Sequence, residues 1–149
     1  MPIIQGIKRI DPLDLNKNVK IGVAFPLDET NMFNGTETIQ EQTKANLISL
    51  LLTEPGERVN IPNYGVGLKT LLFENNIDIK SLKEKINQSI KRYITNVSLL
   101  DVQLGFTEDK HTLFISIVYK FLTDGTADNI QLNYTFLIIL MILVKETQE

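Results

Sequence analysis

The 149-residue chain contains no cysteine, no tryptophan and only one histidine, His111. Without cysteine there is no disulfide, no thiolate metal site and no cysteine nucleophile, and one histidine cannot form a histidine-rich metal site within one chain. No apolar run approaches the roughly twenty residues that span a membrane, and the N-terminus lacks the apolar stretch of a signal peptide. We therefore expect a soluble, intracellular protein with a single domain over residues 1–149, and no metal or cofactor.

The sequence also lacks an excess of positive charge, since its 15 lysines and arginines are outnumbered by 18 aspartates and glutamates. The net charge of −3 argues against binding that rests on a phosphate backbone. Only the segment 79–93 is locally cationic, and no aromatic residues are interleaved there to stack on bases. Two alternatives stay open: a small nucleic-acid-associated α+β protein that uses this basic helix, and a soluble interaction domain with an unassigned partner.

Capping residues and apolar spacing predict two main helices. Thr38 and Glu41 have the spacing of a capping box, and the helix that they begin ends before the Pro55-Gly56 pair. Asp78 is a suitable N-cap for a second helix over residues 79–93, whose apolar residues recur at steps of three and four.

Alternation of apolar and polar residues predicts strands. It marks residues 19–25, then the Leu100, Val102, Leu104 and Phe106 face of one C-terminal strand, and two more strands over 113–122 and 130–136. The predicted fold class is α+β, with two main helices packed on an antiparallel C-terminal β-meander. Residues 1–18 are predicted to form an extended N-terminal arm, and residues 136–149 an apolar C-terminal tail.

No catalytic constellation is recognisable in the sequence. A glycosidase needs two carboxylates in distinct environments, and nothing places Glu54, Glu57, Asp101 or Glu108 in an apolar pocket that would raise a pKa. The Gly65-Val66-Gly67 run before a short helical turn could bind an anion, although a structural turn is favoured. We therefore predict no catalytic residues and no enzymatic activity.

Three segments together resemble a known family. They are L-L-T-E-P-G-E-R over residues 51–58, P-N-Y-G-V-G-L over 62–68 and L-L-F-E over 71–74, and I-D-P at 10–12 fits the family's opening. These motifs resemble the small baseplate wedge proteins of contractile phage tails, the sheath initiators of T-even-type phages, which have counterparts in type VI secretion. The resemblance covers roughly residues 10 to 134, which is most of the chain.

The resemblance implies a structural component of a tail baseplate, assembled in the host cytoplasm and carried in the virion. Its partners would be wedge scaffold subunits, the first ring of sheath protein, and tail tube or hub proteins, with no nucleic acid and no membrane. An older lysozyme label attached to this family has no support in the residues. One departure is that Ile94-Thr95-Asn96 replaces the family's Glu-Pro-Arg motif.

By resemblance, the mechanism is β-augmentation, in which an extended arm of the sheath protein pairs with an open edge of the meander. Proline at Leu132 or Tyr134 is predicted to leave a soluble fold and block sheath assembly, because proline removes a backbone donor. The apolar run 136–144 has two interpretations, a buried core strand or a strand that only a partner covers. The predicted partner-binding residues are Pro55, Gly56, Glu57, Arg58, Tyr64, Tyr93, Ile94, Thr95, Asn96, Ile130, Leu132 and Tyr134.

Overall fold

The computed structural model describes residues 10–16, 18–24, 34–71, 78–107 and 112–135. The elements are a 3-10 turn at Pro12–Leu15, β1 Gly22–Val23, β2 Gly35–Thr36, α1 Ile39–Leu52, α2 Leu68–Leu71, α3 Ile79–Tyr93, β3 Val97–Phe106, β4 Thr112–Phe121 and β5 Ala127–Thr135. The α+β class is confirmed, because the helices accompany an antiparallel three-stranded sheet in the order β3-β4-β5, besides a two-stranded ribbon of β1 and β2.

Both main helices begin at the predicted caps. The Glu41 N–H donates to Thr38 Oγ1 at 3.2 Å, and the Glu41 carboxylate in return accepts the N–H of Glu37 at 2.9 Å. The returning bond thus reaches one residue further than in the standard capping box. At α3, Asp78 Oδ1 accepts the Lys80 N–H at 3.0 Å. Side-chain oxygens therefore satisfy amide donors that a helix start leaves without partners.

One apolar cluster joins the helices to one face of the sheet. The predicted α3 stripe is confirmed in its centre, where Leu82, Ile86 and Ile90 are buried, while Ile79 at its start is exposed. On β4 every second side chain turns into the cluster, as the pleat requires. The buried residues that the sheet contributes are Val97, Val102, Leu113, Ile115, Ile117, Tyr119, Phe121 and Ile130.

A β-bulge corrects the predicted inner face of β3. The pairing with β4 shifts between Leu99 and Asp101, so Leu100 is an extra residue. Because one extra residue reverses the alternation, Leu99 joins the core side of Val102, and Leu100 is 57% exposed. The expectation that Leu100 shares the inner face of Val102 is therefore wrong.

The early strand is shorter than predicted. The sequence predicts one strand over residues 19–25, but β1 comprises only Gly22 and Val23, paired with Thr36 and Gly35 of β2. Val19 and Val23 are largely exposed, so the alternation there does not mark a core face. The expected extended arm contains the 3-10 turn at Pro12–Leu15, which begins at an Asp11 cap. Phe25 and the tail 136–149 lie outside the described residues.

A polar seam fixes the start of α1 to the β4–β5 turn. The Gln40 amide donates to Asp124 Oδ2 at 2.8 Å, and Lys44 Nζ lies 3.4 Å from Asp128 Oδ2. The Tyr119 hydroxyl donates to the same Asp128 oxygen at 3.0 Å. Burial, together with this carboxylate, raises the pKa of Tyr119. The seam therefore sets the orientation of α1 against the strand hairpin.

Candidate docking surfaces

The elbow, residues 54–67, is closed by its own backbone. The Gly56 N–H donates to the Pro62 carbonyl at 2.7 Å across the neck of the loop. The Glu57 N–H donates to the Glu54 carbonyl at 3.1 Å, and the Glu57 carboxylate accepts the Glu54 N–H at 3.0 Å. Since these groups satisfy one another, Pro55, Gly56 and Glu57 form a rigid turn whose outer side is exposed to solvent.

Glycine lets the far end of the elbow lie directly against α1. The N–H groups of Val66 and Gly67 donate to the carbonyls of Leu50 and Thr53, both at 3.0 Å. Gly65 has a φ of +111°, and a Cβ there would lie 2.2 Å from the Thr53 carbonyl oxygen. Only glycine combines this backbone conformation with such a close approach. These glycines therefore support the structural interpretation of the Gly65-Val66-Gly67 run.

The carboxylates that were considered for catalysis hold the backbone or face solvent. Glu54 Oε1 accepts the Thr70 N–H at 3.2 Å and so joins the elbow to α2. Asp101 is exposed on β3, where its Oδ2 accepts from the Gln103 amide at 3.0 Å. Glu108 and His111 lie outside the described residues. The three candidate carboxylates that the structure describes, Glu54, Glu57 and Asp101, therefore make structural hydrogen bonds in the elbow or on β3.

Two arginines and two tyrosines form what we call the cation–aromatic ladder: Arg58, Tyr64, Tyr93 and Arg92. The Arg58 guanidinium lies 3.8 Å from the centre of the Tyr64 ring. The two tyrosine rings meet edge to face at 5.1 Å, and the Arg92 guanidinium lies 5.4 Å from the Tyr93 ring. Within the described part of the chain neither arginine has an ion pair. The ladder therefore presents two cations on a rigid aromatic base.

The ladder changes the interpretation of Tyr64. Tyr64 is among the residues predicted to bind a partner, but its side chain is only 8% exposed. Arg58 covers the ring and also donates through Nη2 to Ser49 Oγ at 3.3 Å. The adjacent Val59, in contrast, is 93% exposed. A partner at this surface would therefore contact Arg58 and Val59 rather than the Tyr64 ring.

The residues that replace the Glu-Pro-Arg motif form the turn between α3 and β3. Ile94 is 5% exposed and belongs to the apolar cluster, while Thr95 is exposed. The side-chain amide of Asn96 donates to Thr43 Oγ1 at 2.7 Å, and the backbone carbonyl of Asn96 accepts the Leu122 N–H at 3.0 Å. Of the three side chains Thr95 is the exposed one, so a partner at this turn would contact Thr95, while Ile94 and Asn96 hold the turn in place.

The outer edge of β5 has backbone groups without partners among the described residues. The Phe121 N–H donates to the Thr126 carbonyl at 2.8 Å, which makes that pair a hydrogen-bonded one. In an antiparallel ladder such pairs alternate, so the N–H groups of Ile130, Leu132 and Tyr134 face β4. The N–H groups of Asn129, Gln131 and Asn133 then face away from the sheet.

This pattern corrects the positions chosen for proline. Proline at Leu132 or Tyr134 would remove bonds to β4 and damage the fold itself, because these N–H groups face inward. The Ile130 side chain is 2% exposed and Leu132 packs against the core, so the backbone of β5 is what a partner would meet. The Asn129 N–H already donates to Asp128 Oδ1 at 2.7 Å. Of these three outward N–H groups, those of Gln131 and Asn133 have no partner among the described residues.

A groove between α3 and β3 is a feature that the sequence analysis missed. Its volume is about 560 Å³, and it is lined by Lys83, Asn87 and Lys91 from α3 and by residues 97–102 of β3. The one available signal was the spacing of four between these three α3 residues, which puts them on one side of a helix. A second cavity of about 260 Å³ lies beside the start of α1.

Two further site types were sought among the described residues. No group of three or more histidine, cysteine, aspartate or glutamate side chains there is arranged to hold a metal ion. Within the same ranges, no helix has the length and apolar character that crossing a membrane requires.

Known proteins resemble this architecture and sequence. The family described as baseplate wedge protein gp25 matches residues 37–126. A Geobacter sulfurreducens structure, described as that of a proposed tail lysozyme, is 20% identical with a TM-score of 0.59, over 68% of this chain and 95% of that one. At this identity the likeness shows the fold alone. The anti-feeding prophage baseplate contains a chain 23% identical, with a TM-score of 0.46, over 76% and 83%. No curated protein matches the sequence.

Proposed function

The chain belongs to the baseplate wedge protein gp25 family, and we propose that it docks on wedge subunits of a contractile tail or related injection system and there initiates sheath assembly. Membership of the family makes it a structural baseplate component. The observation that carries the proposal further is the open edge of β5, where the backbone N–H groups of Gln131 and Asn133 face away from the sheet.

The open edge supports attachment of a sheath arm by β-augmentation. An unpaired edge offers a row of donors and acceptors on which another extended chain can align. The Ile130 and Leu132 side chains hold β5 in place from the core side, so the edge is presented on a fixed sheet. Backbone pairing would supply the attachment, while the alternating side chains of the arm would set its register.

Attachment is tested with Gln131→Pro and Asn133→Pro in tails assembled from the particle's own baseplate and sheath proteins. Each substitution removes an outward donor and leaves the bonds to β4 intact, so we expect folded protein in baseplates that carry no sheath. Gln131→Ala is the matched control, because it removes the same side chain and keeps the N–H. Sheathed tails counted by electron microscopy in normal number for both proline variants would refute attachment at this edge.

The elbow and the cation–aromatic ladder are the proposed contact with wedge subunits. Their support is geometric: a closed turn holds Arg58 over Tyr64, with the exposed Val59 beside it. A guanidinium held in one place loses little conformational freedom when it pairs with a carboxylate. Tail baseplates are accordingly the proposed location, and assembly takes place in the host cytoplasm.

Arg58→Glu tests the wedge contact by reversing its charge. We expect it to reduce recovery of the protein in purified baseplates, whereas Lys69→Glu, an equal charge change at an exposed residue of α2, leaves recovery unchanged. Thermal unfolding of each purified variant separates docking from folding. If Arg58→Glu lowers only the stability and still enters baseplates, Arg58 is an internal support.

We propose further that the protein has no lysozyme activity. The Glu57 carboxylate accepts a backbone hydrogen bond from Glu54 within the elbow, and the Glu54 carboxylate accepts one from Thr70 of α2, which leaves them without the contrasting environments of a glycosidase pair. Purified protein is expected to leave peptidoglycan intact. Robust clearing that Glu54→Gln or Glu57→Gln abolishes would establish an enzyme instead.

A further inference from the structure

The groove between α3 and β3 shares no lining residue with the elbow, the cation–aromatic ladder or the outer edge of β5. It is about 560 Å³ in volume, which is within the size range of pockets that enclose ligands. One wall is the basic side of α3, with Lys83 and Lys91, and the other is the bulged half of β3. The exposed Leu100 and Leu122 side chains also line the groove.

The β3 wall is a second open sheet edge. Among the described residues β3 pairs only with β4. The Leu122 N–H donates to the backbone carbonyl of Asn96 at 3.0 Å, so Asn96 and Leu122 are a hydrogen-bonded pair. Because such pairs alternate along an antiparallel ladder, the observed register directs the N–H and C=O groups of Val97, Leu99 and Val102 away from β4. They lie along the groove.

The α3 wall favours an occupant with negative charge and a hydrogen-bond donor. Lys83 and Lys91 have no ion pair within the described ranges. Asn87, which lies between them on the helix, has a buried Oδ1 without a hydrogen-bond partner. A buried acceptor without a partner is unfavourable, and a bound donor would remove that cost.

We propose that this groove binds an extended acidic segment of a partner protein, which pairs with the edge of β3 and faces its carboxylates to Lys83 and Lys91. The two lysines are eight residues apart, about 12 Å along a helix axis. Residues four apart on a strand are separated by about 13 Å and point to the same side. The segment should therefore carry acids at positions i and i+4, with apolar residues against Leu100 and Leu122.

A peptide suits the groove better than a nucleic acid does. The β3 wall offers alternating backbone donors and acceptors, which a strand can match one by one. The exposed Leu100 and Leu122 would be covered by apolar side chains, and none of the described residues that line the groove is an aromatic that could stack on bases.

The probe for this proposal is the labelled peptide Val-Thr-Glu-Val-Thr-Val-Glu-Thr-Val, with a second peptide that has lysine in place of both glutamates. Fluorescence anisotropy measures affinity for the full chain, and amide hydrogen exchange identifies the contact. We expect the acidic peptide alone to bind and to protect the amides of Val97, Leu99 and Val102. Lys83→Glu/Lys91→Glu should weaken binding at least about tenfold.

Two controls make the result specific. Lys69→Glu/Lys120→Glu changes the net charge equally outside the groove and should bind as the unmodified chain does. Gln131→Pro should also bind normally, so a failure of sheath attachment at β5 is distinguishable from a failure here. Circular dichroism of each variant verifies the fold.

Four results would overturn the proposal. They are absence of binding, equal binding of the lysine peptide, protection at Gln131 and Asn133 instead of β3, and unchanged affinity in the Lys83→Glu/Lys91→Glu variant. Generic duplex DNA serves as a competitor. If it binds at low salt, loses affinity steeply with added salt and displaces the peptide, the surface is a nucleic-acid site.

Discussion

The elbow and the outer edge of β5 differ in whether their backbone N–H groups have hydrogen-bond partners. In the elbow, the N–H groups of Gly56, Val66 and Gly67 all donate to carbonyls of the same chain. On β5, the donors of Gln131 and Asn133 face outward without partners among the described residues. Backbone groups that are already paired make a segment rigid, whereas unpaired groups on an ordered strand are available to hydrogen-bond with a second chain. We therefore interpret the elbow as a rigid turn that holds Arg58 in place, and the edge of β5 as the surface to which an arm of the sheath protein would bind.

Proline substitutions at neighbouring residues of β5 should show the largest difference in stability. Leu132→Pro removes a bond to β4 and a side chain packed on the core, so we expect it to lower the free energy of unfolding by about 3 kcal/mol or more. Gln131→Pro removes only an outward donor and should cost about 1 kcal/mol or less. Urea unfolding measures both. Equal losses would mean that the edge is not open as the register indicates.

Alanine at two glycines of the elbow should give the next largest contrast. Gly65→Ala places a Cβ against the Thr53 carbonyl at a φ of +111°, so we expect a loss of about 3 kcal/mol. Gly56 also has a positive φ, +99°, but a Cβ there meets nothing within 4 Å. Gly56→Ala should therefore cost only about 1 kcal/mol. If the two variants unfold at the same denaturant concentration, close packing against α1 does not hold the elbow.

Removal of the Arg58 side chain tests the ladder on the outer side of the elbow. An exposed cation–aromatic contact contributes about 0.5 to 1 kcal/mol, so Arg58→Ala should lower the free energy of unfolding by that amount. Arg58→Lys keeps the charge but loses the planar stacking, so its free energy of unfolding should lie between those of the unmodified protein and Arg58→Ala. Thermal unfolding of all three proteins provides the measurement. A loss above about 2 kcal/mol would show that Arg58 is part of the core support.

The Asp128 carboxylate should give the smallest effect, visible in acid. Burial raises the pKa of this carboxyl, but hydrogen bonds from Asn129 and Tyr119 and the charge of Lys44 outweigh burial and lower it below 3.8. The folded protein thus binds this proton less well than the unfolded chain does. The stabilisation is present above about pH 4 and is lost as pH falls through the lowered pKa.

Asp128→Asn tests this dependence by unfolding measurements between about pH 3 and pH 6. Because both Lys44 and Asp128 are more than a third exposed, we expect a difference below about 1 kcal/mol, and only at the upper end of the range. Asp101→Asn, an exposed carboxylate on β3, is the control and should follow the unmodified protein. A larger effect at pH 3 than at pH 6 would contradict the assigned direction.

Local chemistry made several elements predictable. Thr38 and Asp78 begin their helices as expected, because a side-chain oxygen beside free amide groups acts over a few residues. The meander and the tight turns of the elbow follow from alternation and from the Pro and Gly positions in the same way. The family resemblance likewise rested on contiguous motifs, and the matched range of residues 37–126 contains all of the elbow.

The sequence by itself determined the α+β class, the helix starts and the family, because each depends on interactions between near neighbours. The tertiary structure alone decided that Leu100 leaves the inner face and that Gln131, rather than Leu132, directs its N–H outward. It also decided that Arg58 covers Tyr64 and that α3 and β3 enclose a groove. These features depend on which strand residue pairs with which and on how the packed elements meet, and alternation along one strand is compatible with several such arrangements.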